Sequence, residues 1–472
     1  MTDDTATQQS APAAPVLDEV HDEEGRLRPE WVDRLKAEIA AEDAAALAVA
    51  VEPLHAADVG ELLETLSREE RGALVHLLGE RFDFSALTEV DETVRGEILG
   101  DIPNDEIARG VSDLSSDDAV YILEDMDAPD REAVLEQLPA FERLSLRRSL
   151  DFPEESAGRL MQTDFIAIPP FWTVGQTIDY LRSEEELPNE FYQIYVVDPG
   201  YNLLGTLPLD HFIRSKRQVR IEKIMNTNVF EIDANEDQEK AARTFERYDL
   251  VEVGVVDENR RLVGVLTIDD MVDVIHREAT EDFQRLVGVG NEEVSAGVWA
   301  TLRGRLTWLF VNLLTAILAS SVIDVFDGTI AKMVALAVLM PIVASMGGNA
   351  ATQTMTITVR ALATHDLGGS RLRRLVTREI AVGVANGISF AVIMGIVADL
   401  WFQNWGLGAV MGLALIVNLF AAGLAGVLIP LGLNKLKVDP AIASTAFVTT
   451  VTDVVGFFSF LWFAGLWFHL FR

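Results

Sequence analysis

Apolar positions along the chain fall into three regimes. Over residues 29–155 they recur at three- and four-residue spacing in short stretches separated by turns, the helical period. Ser67-Arg68-Glu69-Glu70 is a capping box ahead of Leu74, Leu77 and Leu78. Ser115 with Asp118 opens a stretch with Val120, Ile122 and Leu123. Asp127, with Pro129 in the first turn, opens another with Val134, Leu135 and Leu138. The degenerate recurrence of this unit predicts an all-α superhelix. Over 156–276 the pattern changes to strand, helix, strand, turn, strand, helix, and it occurs twice. From 306 to 472 polar residues nearly vanish. The apolar runs are Leu306–Ile323, Met333–Val359, Ile380–Ala398, about Leu407–Asn434 and about Ala441–Leu470. Each matches the ~20 residues a bilayer needs, so five spans are predicted. Residues 277–305 connect the second regime to the third and begin as a helix. Residues 1–28 are polar, acidic and rich in Pro and Ala. They read as a disordered tail without a basic-then-apolar leader.

Charge sharpens this division. The 472 residues carry a net charge of −36 yet are 49% hydrophobic. Residues 296–472 hold 11 Lys/Arg against 7 Asp/Glu, and the first 295 hold 27 against 67. A strongly acidic soluble part is thus joined to an apolar part, which rules out a simple soluble enzyme. Nucleic acid is a poor partner for so negative a surface. With no cysteine, disulfides, thiolate nucleophiles and Cys-ligated metals are excluded. P-loop, G-x-S-x-G and H-E-x-x-H motifs are absent, and the reading is of a protein that is not an enzyme. Single acidic side chains are best read as solvated surface. Together they repel, and divalent cations relieve such repulsion.

The repeat within 156–276 aligns residue by residue. Leu160-Met161 matches Ile224-Met225. Val196-Val197-Asp198 matches Val255-Val256-Asp257, Gly205-Thr206-Leu207 matches Gly264-Val265-Leu266, and Asp210 matches Asp269. The offset is 64 at the start and 59 later, so the first copy holds about five extra residues, placed near Glu184–Asn189. Asp210 and Asp269 read as helix N-caps. Each copy resembles a CBS domain, and two in tandem resemble the regulatory pair that dimerises and binds nucleotides or ions.

Lys/Arg placement orients the spans. Arg303 and Arg305 precede the first. Arg371, Arg373, Arg374 and Arg378 lie between the second and third, and Lys435 and Lys437 between the fourth and fifth. All three clusters fall on one side if the amino terminus is cytosolic and the carboxyl terminus outside. Two features within the bilayer are costly. Asp453 lies about 16 Å along the last span, near mid-membrane. A carboxylate there costs roughly 2.5–3.5 kcal/mol and normally faces water or a partner. No basic residue inside a span can pair with it; the alternative is a protonated carboxyl bonded to Thr449, Thr450 or Thr452. In the second span, Pro341 and Gly347-Gly348 weaken the helix ahead of Asn349, Thr352, Gln353 and Thr356. This reads as broken helix lining water, or as a kinked packing helix.

The run Pro341…Met346-Gly347-Gly348-Asn349…Gln353, then Arg360-Ala361-Leu362, and far downstream Asp439-Pro440-Ala441…Thr449-Thr450…Asp453…Gly456, resembles the MgtE magnesium channel/transporter family. The order of acidic superhelix, CBS pair, connecting helix and five spans is that family's order. The resemblance implies a homodimer embedded in membrane lipid, with an ion pore between its membrane domains. It implies Asp453 as ion-selecting carboxylate, with Thr449 and Asn349 in the pore. It further implies Mg²⁺-sensing positions at Asp237, Glu239, Asp249, Asp270 and Asp273. Glu278, Glu281 and Asp282 on the connecting helix would share ions with Asp439, and Asp117 or Asp118 would be the superhelix's contribution. Mg²⁺ is the implied ion, and ATP at the CBS pair stays open. The segment Ser444-Thr445-Ala446 departs from the family, which often has Asn or Gly-Pro between the Asp-Pro-Ala and the Thr-rich stretch. Mg²⁺ is a hard octahedral ion that keeps its water, so one carboxylate from each of two chains suits it. The implied function is a Mg²⁺-selective channel of the cytoplasmic membrane, closed by Mg²⁺ bound to the cytosolic domains. The alternative is a CBS-regulated carrier of another divalent cation such as Mn²⁺ or Co²⁺.

Overall fold

The computed structural model describes residues 20–470 apart from 184–186, 189–190, 290–296 and 365–368. The chain divides into two compact units, Met1–Glu278 and Ala279–Arg472.

The first unit begins with short helices, from Pro29–Ala40 to Ala140–Leu150. Their apolar stripes meet in one core, where Leu35, Leu47, Leu62, Leu74, Ile107 and Ile122 are fully buried. The capping box forms as expected. The Ser67 side chain accepts from the Glu70 N–H, and the Glu70 carboxylate accepts from the Ser67 N–H at 2.8 Å. Ser115 and Asp127 occupy their N-cap positions without a cap bond from the side chain to the helix backbone. Order begins before residue 29. Val20 is fully buried, the Asp22 carboxylate accepts from the N–H groups of Glu24 and Arg26, and His21 meets Asp58 at 2.9 Å. Val20 and Leu27, one on each side of a tight polar turn, join the helical core and hold residues 20–28 against the helices. Residues 1–19 of the expected tail lie outside the described residues.

Arg95 is a built-in cation in this acidic core. It is 2% exposed, pairs with Asp125, lies 4.3 Å from the Tyr121 ring centroid, and donates to the carbonyls of Leu87 and Val90.

The tandem repeat folds into two three-stranded sheets of one topology. In the first, β1 (Ala167–Ile168) runs parallel to β2 (Gln193–Val197), which pairs antiparallel with β3 (Leu203–Pro208). In the second, β4 (Glu231–Asp233), β5 (Glu252–Val256) and β6 (Leu262–Thr267) repeat this order. The irregularity between Val196 and Val197 recurs between Val255 and Val256. Asp198 and Asp257 close the two hairpins by accepting backbone N–H groups, from Gly200 and Asn202 in one and from Asn259 and Arg261 in the other. The copies interlock. Gln162, ahead of β1, bonds Val265 of β6 in both directions at 2.8 Å, and Asn226, ahead of β4, does the same with Thr206 of β3. Asp210 and Asp269 are first-turn residues, not caps; Pro208 holds the N-cap of the helix Leu209–Ile213. Their charge still suits a helix N-terminus. Most of the expected insertion, 184–186 and 189, lies outside the described residues.

The second unit contains five helices long and apolar enough to cross a membrane: Thr301–Asp324, Ala335–Leu362, Ser370–Phe402, Trp405–Lys435 and Thr445–Trp467. A short helix, Asp327–Lys332, precedes the second span. The second span is unbroken through Gly347-Gly348, which corrects the broken-helix reading. Pro341 falls in its second turn, so the clash of the ring with the carbonyl four residues back is confined to the helix start. The fourth span is the hub, burying Val410, Met411, Ala414, Leu415 and Leu419. Small residues let backbones touch there; a Cβ on Gly408 would stand 2.3 Å from the Gly395 carbonyl oxygen. Most of the first span faces outward, with Leu309, Phe310, Leu313 and Ile317 more than half exposed. That is what a lipid-facing helix requires.

The connecting helix, Ile268–Val287, starts directly after β6, ahead of the expected residue 277.

Arg95→Leu should destabilise the first unit by about 3 kcal/mol, because Asp125 and two carbonyls lose their donor. Denaturant unfolding of wild type and variant measures this difference.

Candidate ion pathway and acidic clusters

Asp453 sits midway along the helix Pro440–Trp467. It is half-buried and has no hydrogen bond or ion pair with the described residues. The three threonines that could have held it point elsewhere. The Thr449 hydroxyl donates to the carbonyls of Thr445 and Ala446, Thr450 to Ala446, and Thr452 to Val448 and Thr449. Hydroxyls that bond back to the preceding turn are satisfied within their own helix. The alternative of a threonine-bonded carboxyl is therefore not what the structure adopts. The Thr449 carbonyl already accepts from Thr452 at 2.9 Å. On the second span Asn349 is exposed, with its amide 3.5 Å from the Ser345 hydroxyl.

Two polar residues of the spans were not singled out from the sequence. Glu379 stands one residue before the apolar run Ile380–Ala398 in sequence. It lies inside the helix, 4% exposed, paired with Arg378 and accepting from the Thr354 hydroxyl at 3.1 Å. Asn418, in the fourth span, is wholly buried. A polar side chain within an apolar run was the available signal for both.

At the Asp439 end of the last span lies a second cluster. Arg285, on the connecting helix, donates to Asp439 at 3.0 Å and also pairs with Glu281. Glu281 is 9% exposed. The Thr445 hydroxyl donates to the Leu286 carbonyl at 2.7 Å, and the Leu286 side chain packs against the buried cluster of Ala351, Met355, Val359, Ala422 and Val448. The departure at Thr445 thus supplies a bond that holds the end of the connecting helix. Asp282 lies beside this cluster, half-buried.

In the first unit the structure gathers Asp117, Asp118, Asp270 and Asp273 around one cleft of about 910 Å³, together with Glu89 and Asp269. Asp117 is 8% exposed; one carboxylate oxygen accepts from the Gln162 amide at 3.1 Å, and the other is buried without a partner. Burial, reinforced by the Asp117 charge, pushes Asp118 up to about 7 and carries Asp270 well above the carboxylate range. Asp273 is raised by burial too, partly offset by Arg277.

The remaining positions expected to sense Mg²⁺ separate. Asp237 N-caps the helix Gln238–Tyr248, accepting from the N–H groups of Glu239 and Lys240. Glu239 pairs with Arg243. Glu278 accepts from the Gln238 amide at 2.7 Å, and burial with the nearby Glu239, Glu155 and Asp237 charges raises its pKa. Asp249 stands apart as the left-handed C-cap of the same helix, with φ 52°. Among the described residues no three Asp, Glu or His side chains converge closely enough to hold an ion alone. The clusters suit cations that keep their water and bridge carboxylates, as Mg²⁺ does.

Family comparisons agree with this layout. A family described as divalent cation transporter matches residues 340–463, the MgtE intracellular N domain matches 54–155, and the CBS domain matches 221–277. The chain is 33% identical to the magnesium transporter MgtE of Bacillus subtilis (strain 168) over 329 residues, 70% of this chain and 73% of that one. It is 35% identical to the protein of that name from Thermus thermophilus over 318 residues, 67% and 70% of the two chains. A solved structure of the cytosolic domain of the Mg²⁺ channel MgtE in complex with ATP covers 52% of this chain and 99% of its own, at 28% identity and a TM-score of 0.48. Extensive identity to these transporters, with five membrane-length helices behind an acidic helical array and a CBS pair, makes the chain a multi-pass membrane protein of the MgtE family.

Proposed function

We propose that this chain is a Mg²⁺-selective channel or transporter of the cytoplasmic membrane, acting as a homodimer with its amino terminus in the cytosol. One observation carries the proposal: Asp453 is a mid-span carboxylate with no partner among the described residues, beside threonines whose hydroxyls are already satisfied. Its counter-charge comes from solution. Two copies across a dimer axis present two carboxylates to one doubly charged ion. Asn349 and the Thr449 carbonyl are suited to the waters such an ion retains. Mn²⁺ or Co²⁺ is the alternative cargo, and ATP at the CBS pair is an expectation of the family resemblance.

Closure by cytosolic Mg²⁺ follows from the acidic clusters. The unpartnered Asp117 oxygen and the raised Asp118 and Asp270 describe carboxylates brought together without enough cation. Mg²⁺ favours the arrangement in which they are close, and the population shifts toward it. At the membrane, Arg285 already stands between Glu281 and Asp439 as an internal cation. Mg²⁺ and this guanidinium compete for one pair of carboxylates.

Three measurements test this reading. Asp453→Ala should abolish Mg²⁺ flux into proteoliposomes; unchanged flux removes the pore assignment. Arg285→Gln removes the guanidinium that Glu281 and Asp439 share, so the internal Mg²⁺ needed for half-closure should shift by at least threefold, and an unchanged value shows that these carboxylates do not sense. The third is a pH profile. A carboxyl raised in the folded state adds stability that is full below its unfolded pKa and is lost as pH climbs through its folded pKa. With Asp118 at about 7, the chelated protein should melt at falling temperature between pH 4 and 7. Added Mg²⁺ should restore more of that loss at pH 8 than at pH 5, and Asp118→Asn should flatten both trends.

A further inference from the structure

Asn418 differs from the other buried polar side chains of the second unit. The hydroxyls of Thr358, Thr452 and Ser459 bond to carbonyls of their own helices, and Glu379 takes Arg378 and Thr354. Asn418, like Glu379, reaches across helices, but one of its polar atoms is left over. Its Nδ2 donates to the Val343 carbonyl of the second span at 2.8 Å, and its Oδ1 is buried with no partner.

Two glycines make room for the amide. A Cβ on Gly347 would stand 2.2 Å from Nδ2, and a Cβ on Gly456 would stand 2.7 Å from the same atom. The amide therefore fills the space that side chains on the second and fifth spans would otherwise take. Both positions belong to the region with the unusual chemistry. Gly347 is two residues before Asn349. Gly456 is three residues after Asp453, the spacing of helix neighbours on one face. A Cβ on Gly456 would also meet a Val343 methyl at 3.3 Å, so the second and fifth spans meet the fourth at this one point.

We propose that Asn418 is a positioning residue for the ion pathway: its amide, seated between Gly347 and Gly456, sets the distance between the Asn349 segment and the Asp453 turn, and thereby the discrimination between Mg²⁺ and larger divalent ions. The hydrogen bond to Val343 is directional, so it fixes separation and rotation together, which apolar packing alone does not. The unpartnered oxygen argues against a merely stabilising crosslink, since a buried acceptor left unpaired opposes stability. Ca²⁺ is the informative competitor, being larger, tolerant of irregular coordination and easier to dehydrate than Mg²⁺.

This inference rests on Asp453 lining the pathway. The full chain in proteoliposomes is assayed for Mg²⁺ and Ca²⁺ uptake, normalised to folded protein, as wild type, Asp453→Asn, Asn418→Leu and the double variant Asn418→Ala with Gly347→Ala. The double variant refills the vacated slot from the opposite helix, so it keeps the packing and lacks the amide. Both Asn418 variants should lower the Mg²⁺-to-Ca²⁺ uptake ratio at least fivefold. A ratio within twofold of wild type overturns the inference, as does uptake that falls only in proportion to folded protein. If Asp453→Asn leaves uptake and ratio untouched, the pathway assignment itself fails. If Asp453→Asn abolishes uptake while the Asn418 variants match wild type, this inference alone fails.

Discussion

Carboxylates without enough cations are the constraint on which this molecule turns. The first 295 residues carry 67 acidic against 27 basic side chains, and the fold makes the imbalance local. Asp117, Asp118 and Asp270 are drawn to one cleft, where low polarity strengthens their repulsion. Where the chain supplies its own cation, the acids are quiet. Arg95 neutralises Asp125 inside the superhelix, and Arg285 joins Glu281 to Asp439. Where it does not, burial and like charge raise the pKa of Asp118 and Asp270, which is where the proposed function places an ion from solution. Asp453 in the last span has no ion pair among the described residues either, and a carboxylate there carries the larger desolvation penalty of the bilayer.

The membrane unit is built to make that penalty tolerable. Lipid offers no hydrophobic gain for helix association, so close contact must come from shape. Glycines along the third and fourth spans let backbones meet, and the fourth span becomes a hub buried on most sides. A rigid hub allows a few polar groups to be held in defined places. Glu379 ties the third span to the second through Thr354. Asn418 ties the fourth to the second at Val343.

Much of this was legible in the residues, and the exceptions have physical reasons. The CBS repeat could be read to the single residue because its strands must keep register; the offset of 59 links Val196 to Val255, and the two sheets share their irregularity at that point. The spans were legible by length and apolarity alone. The second span was misjudged because proline and glycine weaken an isolated helix, whereas this one is supported by neighbours on several sides. Asp210 and Asp269 were placed as caps from local pattern, but the preceding strand delivers the chain so that Pro208 takes the cap in one case and both acids enter the first turn. Arg285 was passed over because its meaning depends on Asp439, 154 residues away. Glu379 follows a basic cluster and precedes the apolar run, so nothing local marks it as buried. Asn418 was an ordinary polar letter in an apolar run until its two glycine neighbours on other helices became visible.

The connecting helix shows how one segment can serve both as a spacer and as a reporter. A passive spacer would need only length and solubility. This helix ends with three distinct attachments within the membrane unit: the Arg285–Asp439 pair, the Thr445 bond to the Leu286 carbonyl, and Leu286 packed against the cluster of Ala351, Met355, Val359, Ala422 and Val448. The first lies just ahead of the helix that carries Asp453, the second is on that helix, and the cluster draws on the second, fourth and last spans. The attachments also differ in kind. The apolar contact and the hydroxyl bond are indifferent to ions, while the charged pair is not. Under the proposed function, a divalent cation near Glu281 and Asp439 would alter one attachment and spare the others, biasing the helix end between docked arrangements without releasing it. The placement of a single guanidinium would then give the property a graded gate requires.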